Sequence, residues 1–310
     1  MAELDGQGSS APAELTSPPM SEPLLTYLEH PSQPSLQLPA LACDAHVHVF
    51  GPAERFAFAA SRNFTPVDAP RERLFALHKR LGIARCVVVQ SAVHGWDNSA
   101  VEDTLQAGEG HYLGVALVPA DVATQELARL AAAGFRGVRF NFMKHLSGGA
   151  SPEQVLALTE RLAPLGLHLQ LHFESSLIHT LAPMIRRSRV PVMIDHMGRV
   201  DAAAGADAPD FQALCELLRD ERVHVKVSGI DRIDPRPPQG QAPYAHGVTL
   251  AHLLVQEFTD RCVWGTDWPH PNHTHIPDDG QLVDALAQIA PEAAQRQALL
   301  VDNPARFYGF

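Results

Sequence analysis

The chain has 310 residues, 45% of them hydrophobic, with a formal net charge of −11. That is ample for one α/β barrel of about 250 residues, and the acidic balance argues against a nucleic-acid surface, which needs a basic stripe. No apolar run approaches the roughly 18 residues of a membrane helix, the start carries no basic-then-apolar leader, and the cysteines Cys43, Cys86, Cys215 and Cys262 form no C-x-x-C pair, so a cytoplasmic protein with reduced thiols is expected.

Residues 1–38 are rich in Pro, Ser, Ala and Glu without sustained period, and read as a disordered or loosely packed tail. From 39 to 310 the pattern is that of one catalytic domain. Short apolar runs at 42–49, 84–90, 112–118, 137–140, 167–173, 190–195, 223–227 and 262–265 read as strands. Amphipathic stretches at 71–81, 124–133, 152–162, 177–187, 210–218 and 248–258 read as helices. Gly82 and Gly134 stand where left-handed caps are wanted, and Ser151-Pro152-Glu153 is a helix start. Eight strands alternating with helices predict a parallel (β/α)8 TIM barrel. An open doubly wound sheet would carry a glycine-rich phosphate loop after its first strand, but that turn reads Phe50-Gly51-Pro52-Ala53.

In such a barrel the chemistry gathers at the C-terminal strand ends. The first strand ends in His46 and His48, two apart and therefore on one face. Imidazoles taken out of water need a partner such as a metal ion or a substrate anion. Gln90 and His94 follow strand two, and strand four ends in Arg139 with Asn141, Lys144 and His145 beyond. Strand five delivers His172 and Glu174, and strand six delivers Asp195, His196 and Arg199. Ser228, Asp231 and Arg232 follow strand seven, and strand eight closes with Gly265-Thr266-Asp267-Trp268-Pro269-His270. Singly, each has a plain structural role: Asp195 as a loop cap, Glu174 or the Asp231–Arg232 pair as surface ion pairs, and His94, His145 and His270 away from the reacting atoms. Together they converge on one barrel mouth. The Pro- and Gly-rich stretch 235–243 is either a lid or a plain connection.

These motifs resemble the amidohydrolase superfamily. Asp44-Ala-His46-Val-His48 looks like its strand-one H-x-H, and Gly265-Thr-Asp267 like its strand-eight aspartate. The stretches Asp44-Ala-His-Val-His-Val-Phe-Gly-Pro52, Gly137-Val-Arg-Phe-Asn-Phe142, Ile194-Asp-His-Met-Gly-Arg199 and Trp264-Gly-Thr-Asp-Trp-Pro-His-Pro271 are similar to the branch of 2-pyrone-4,6-dicarboxylate lactonases. The resemblance implies hydrolysis of an anionic lactone from aromatic catabolism, with Asp267 as general base and His46, His48 and His196 polarising the carbonyl. Arg139, Arg199 and Arg232 would hold the anionic arms, joined by Lys144 and His145.

The chain departs from that branch at His172, His145, Ala92 and Phe64. His172 restores the ligand set of metal-dependent amidohydrolases, so the expected metal residues are His46, His48, His172 and Asp267. That donor set suits Zn²⁺ with water at an open position, and turns attention to the similar 4-sulfomuconolactone hydrolases. The other reading is a metal-free site in which His172 is an uncharged donor to substrate. Other functions open to the same residues are a metal-dependent decarboxylase, a sugar lactonase and a non-enzymatic binding barrel. A small-molecule ligand is expected, with neither nucleic acid nor membrane as partner; nothing in the sequence sets the oligomeric state.

Overall fold

A computed structural model describes residues 23–143, 149–234, 243–272 and 275–310. Eight parallel strands run in sequence order: β1 (Cys43–Val47), β2 (Arg85–Val89), β3 (Tyr112–Leu117), β4 (Phe135–Phe142), β5 (His168–Phe173), β6 (Val192–Ile194), β7 (Val223–Lys226) and β8 (Cys262–Val263). The ring closes through the chain just past β8: Ala45 N donates to Trp264 O at 2.8 Å, Asp267 N to His46 O at 2.8 Å, and His48 N to Trp268 O at 2.7 Å. The predicted TIM barrel is what forms, and its seam ties the strand-one histidines to the segment carrying Asp267.

Helices α1 (Arg71–Leu81), α2 (Ser99–Ala107), α3 (Thr124–Ala132), α4 (Pro152–Leu162), α5 (Ile178–Arg187), α6 (Pro209–Leu218), α7 (Ile230–Ile233) and α8 (Ala245–Glu257) wrap the strands. Gly82 takes the left-handed cap of α1, and Ser151 with Gln154 forms a capping box on α4, with Pro152 beginning the helix. The apolar faces of these helices and the outward strand residues make one large core.

Inside the barrel the side chains rise in layers, because residues two apart along a strand share a face. At the bottom the rings of His168 and His224 pack on Phe307, at 4.8 and 4.6 Å between centroids. Above them on the same strands come Gln170 and Lys226, and above those His172 and Ser228. A separate apolar cluster of Cys43, Ala45, Val87, Val89, Val115 and Met193 fills the lower interior.

β1 carries a bulge. Its pairing shifts from Asp44↔Cys86 to Val47↔Val88, three residues against two, which reverses the inward and outward parity. Cys43 and Ala45 therefore join the inner cluster, whereas Val47 and Val49 join the outer core. Asp44 is turned outward, where its carboxylate accepts from Thr266 N at 3.0 Å and Thr266 Oγ1 at 2.6 Å. His46 and His48 then face the interior. Simple alternation from Asp44 would not have produced this.

Burial pushes the imidazole of His168 down to about 3 and that of His224 down to about 4. Both return to about 6.5 when unfolded, so on acidification the unfolded chain takes up protons first. The stability they contribute is complete above about pH 6.5 and drains away as pH falls towards those folded values. Thermal midpoints measured from pH 7.5 to 4.5 should fall steeply for the wild type and less steeply for a His168→Leu/His224→Leu variant. Parallel curves would assign the acid loss to other groups.

Part of the expected tail is structured. Ser32 N and Oγ donate to Asp278 Oδ1 at 3.0 and 2.9 Å, and the amides of Ser35 and Leu36 donate to Asp284 Oδ1 at 2.7 and 2.8 Å. Thr26 Oγ1 donates to Pro269 O, and Tyr27 is buried against Trp268 at 5.3 Å between rings. Serine and proline content suggested a loose segment at 23–38, but carboxylates elsewhere in the chain supply its hydrogen bonds. Residues 1–22 lie outside the described residues. So do Lys144, His145 and nearly all of the 235–243 stretch.

Candidate active site

Of the residues predicted to converge, His46, His48, His196, Arg232 and Asp267 come together. Asp267, fully buried, stands at the centre: its Oδ1 is 3.5 Å from His46 Nε2 and 3.3 Å from His48 Nε2, and its Oδ2 is 3.8 Å from His196 Nε2. Arg232 Nε donates directly to Asp267 Oδ2. The imidazole of His46 lies 5.0 Å from that of His48 and 4.5 Å from that of His196.

The backbone works to place these groups. Gly265 passes so close to β1 that a Cβ there would sit 2.5 Å from His46 N and 2.8 Å from Asp44 Oδ1. Gly265→Ala should therefore displace the seam and cost about 1–3 kcal/mol of stability, together with activity; a thermal midpoint within error of wild type would show that the seam yields freely. After β6 the chain makes a left-handed turn through His196, Met197, Gly198 and Arg199, with φ of 47, 52, 65 and 58°. Each non-glycine residue there costs roughly 1–2 kcal/mol, and the fully buried Met197 side chain pins the turn. The result sends both His196 and Arg199 into one cleft, where His48, Phe64, Ala92, Arg139, His172 and Arg232 also lie.

Electrostatics assigns the charges. Burial holds the imidazoles of His46, His48, His172 and His196 below their usual value, His46 down to about 3. They are neutral. Burial would raise Asp267, but the Arg232 guanidinium overcomes it and keeps the carboxyl well below the ordinary range. Burial lowers Arg199 to about 10, with Arg232 adding to the effect; it remains a cation. Among the described residues Arg199 has neither a hydrogen bond nor an ion-pair partner, unlike Arg139, whose Nε is held by Asp195 Oδ2 at 2.8 Å.

Asp195 is not a loop cap. Its carboxylate lies inside the barrel below the site, accepting from Arg139 and from Gln170 Nε2 at 3.2 Å, with Oδ1 3.3 Å from His46 Nδ1. Ser228 Oγ meets His196 Nδ1 at 3.0 Å. His94 is structural: it accepts from Gly51 N at 3.2 Å and faces Ala57 O at 3.1 Å. His270 pairs with Asp279 at 3.0 Å behind the site.

Two triads bring ligand atoms within 4.8 Å of one another and can hold a metal ion: His46, His48 and Asp267, and His46, Asp195 and His196. His48 gives the sharper test. Its Nδ1 lies 2.7 Å from Val89 O, a carbonyl that only accepts, so Nδ1 carries the proton and Nε2 is a bare lone pair. That lone pair faces Asp267 Oδ1, which has no hydrogen-bond partner among the described residues. Two acceptors with nothing between them fit a cation. His172 does not join either triad, so three of the four expected ligands gather. Its Nδ1 donates to Asn141 Oδ1 at 3.1 Å and leaves Nε2 unpartnered; the side chain presents an acceptor to the cleft, the reverse of the donor expected in a metal-free site.

Comparison with known proteins places the chain in one family. The family model described as amidohydrolase matches residues 43–310. The chain belongs to that family. This amidohydrolase is 43% identical over 290 residues to a 2-pyrone-4,6-dicarboxylate hydrolase of Comamonas testosteroni, covering 92% of this chain and 95% of that one. It is 38% identical over 276 residues to a 4-sulfomuconolactone hydrolase of Hydrogenophaga intermedia, covering 88% and 90%. A solved structure of a probable 2-pyrone-4,6-dicarboxylic acid hydrolase of Acinetobacter baumannii, with citric acid bound, superposes with a TM-score of 0.76 at 26% identity, covering 87% and 100%. No helix among the described residues is long and apolar enough to cross a membrane. What sequence reasoning missed in this amidohydrolase is the layer beneath the site, Gln170 and Lys226. The alternation His168-Leu-Gln170-Leu-His172 and Val223-His-Val-Lys226-Val carries the signal, polar side chains inward at every second position.

Proposed function

We propose that this amidohydrolase hydrolyses an anionic lactone of the 4-sulfomuconolactone or 2-pyrone-4,6-dicarboxylate type. The observation that carries the reading is a buried anionic Asp267 among three neutral imidazoles, with the Arg199 guanidinium, unpartnered among the described residues, in the same cleft. The names of the relatives at 43% and 38% identity support it, as does the tricarboxylate held by the Acinetobacter protein.

In this reading Arg199 anchors a carboxylate or sulfonate arm by paired parallel donors, assisted by the free ends of Arg139 and Arg232 and by Lys144 and His145. Asp267 accepts a proton from the attacking water, and the imidazoles face the carbonyl oxygen as negative charge develops, where one good contact is worth about 3–4 kcal/mol. Zinc is the ion suited to His46, His48 and Asp267; when bound it would supply a Lewis acid and lower the pKa of a coordinated water towards about 7.

The test is acid release from each lactone by the full-length protein, with and without added zinc. Turnover of at least one lactone is expected, without CO₂. Silence on both lactones under both conditions, from folded protein, would sink the assignment.

A further inference from the structure

Directly beneath the site the fully buried ammonium of Lys226 donates to Ala45 O and to Gln170 Oε1, both at 2.9 Å, and meets His46 Nδ1 at 3.2 Å. Asp195 Oδ1 lies 3.3 Å from the same imidazole nitrogen and 3.6 Å from Lys226 Nζ. Nδ1 of His46 thus has two opposite hydrogen bonds within reach: it accepts from the ammonium or donates to the carboxylate. The choice decides which face of the ring meets substrate, because a neutral imidazole that accepts at Nδ1 carries its proton on Nε2.

Two features favour the accepting state. An ammonium has three protons and no lone pair; with two directed at oxygens, the third is left for His46 Nδ1, which is nearer than Asp195 Oδ1. Asp195 opposes this state: its hydrogen bonds from Arg139 and Gln170 fall on Oδ2, leaving Oδ1 without one among the described residues. On the other side of the ring, His46 Nε2 and Asp267 Oδ1 both lack a hydrogen-bond partner among the described residues and stand 3.5 Å apart. A proton on Nε2 turns that opposition of acceptors into an attraction. His48 is wired the other way, since Val89 O obliges its Nδ1 to donate.

We propose that Lys226 is a positioning residue that holds His46 as its Nε2–H tautomer, making His46 a hydrogen-bond donor to the carbonyl oxygen of the substrate while His48 remains an acceptor. Only the identity of that oxygen rests on the lactone reading. A divalent ion on His46, His48 and Asp267 must displace the Nε2 proton, so Lys226 opposes ion capture and Asp195 favours it.

The tautomer is readable without turnover. In metal-stripped, full-length protein labelled with ¹⁵N-histidine, long-range ¹H–¹⁵N spectra at neutral pH should show His46 protonated at Nε2, its signals identified by their loss in His46→Gln. Protonation at Nδ1 would overturn the proposal. Lys226→Met should move the proton to Nδ1 and tighten zinc binding, measured by chelator competition, by about tenfold or more. A folded Lys226→Met with the wild-type tautomer and zinc affinity would overturn it equally, since a merely structural lysine would change the thermal midpoint alone. If that variant does not fold, the wild-type spectrum decides. Failure of lactone hydrolysis leaves these spectra untouched, so the two readings fail separately.

Discussion

Asp267→Asn is expected to lower kcat by about 10²–10⁴-fold while KM changes by only a few-fold. The carboxylate is fully buried, anionic and within 3.3–3.8 Å of three imidazole nitrogens, and the amide that replaces it cannot accept a proton. The range is that of a positioned general base. Binding should survive, because the guanidinium of Arg199, which has no ion pair among the described residues, remains in the cleft. The substitution also removes the charge facing Arg232, so the measurement needs a folded control, such as an unchanged near-ultraviolet circular dichroism spectrum. A folded variant retaining more than about a tenth of wild-type kcat, one decade short of the smallest effect of such a base, would take Asp267 out of that role.

The second large effect separates two arginines that look equivalent in sequence. Arg139→Met should destabilise the fold by about 3–5 kcal/mol, because it leaves the buried Asp195 carboxylate without its closest cation. Arg199→Met strips no carboxylate of a partner, since among the described residues Arg199 has none. It should leave the thermal midpoint nearly unchanged and raise KM by roughly ten- to a hundredfold, the loss of about 1.5–3 kcal/mol from one charged hydrogen-bonding contact. Denaturant melts and steady-state kinetics on both variants decide the matter. If Arg139→Met melts like wild type and only KM rises, Arg139 is an anchor after all and the Asp195 pair is dispensable.

The architecture was largely legible because a parallel barrel writes its strands as continuous apolar runs between amphipathic helices. All eight strands appear at the predicted places, with ends moved by a few residues: β4 starts two residues earlier and ends two later, whereas β8 shrinks to Cys262–Val263. α2 was not read from the sequence. Asn98, before it, makes no side-chain cap bond to the helix and spends its amide on Leu117 instead.

The site was legible as a set of strand ends. Its interior wiring was not. The bulge that turns His46 inward leaves no mark in a hydrophobic pattern, since Ala45 and Val47 fit either face. Asp195, beside a turn, has the appearance of a cap, and only the register of β5 against β6 (Gln170↔Met193, Leu171↔Ile194) brings it in beneath the imidazoles. His172 had the right residue type at the right strand end, but it does not join the metal-competent triads, and its Nδ1 is held by Asn141.

The clasp of residues 23–38 has a mechanical consequence. Thr26 and Tyr27 hold Pro269 and Trp268, the two residues after Asp267, so the Asp267 carboxylate is braced from outside the barrel by chain that precedes the first strand. A force applied to this strap, by cleavage, a fused neighbour or a docking protein, would reach Asp267 through two residues of backbone. The part of the polypeptide that carries out the chemistry thus reaches back ahead of the barrel, and a truncation guided by the strands alone would cut one of its supports.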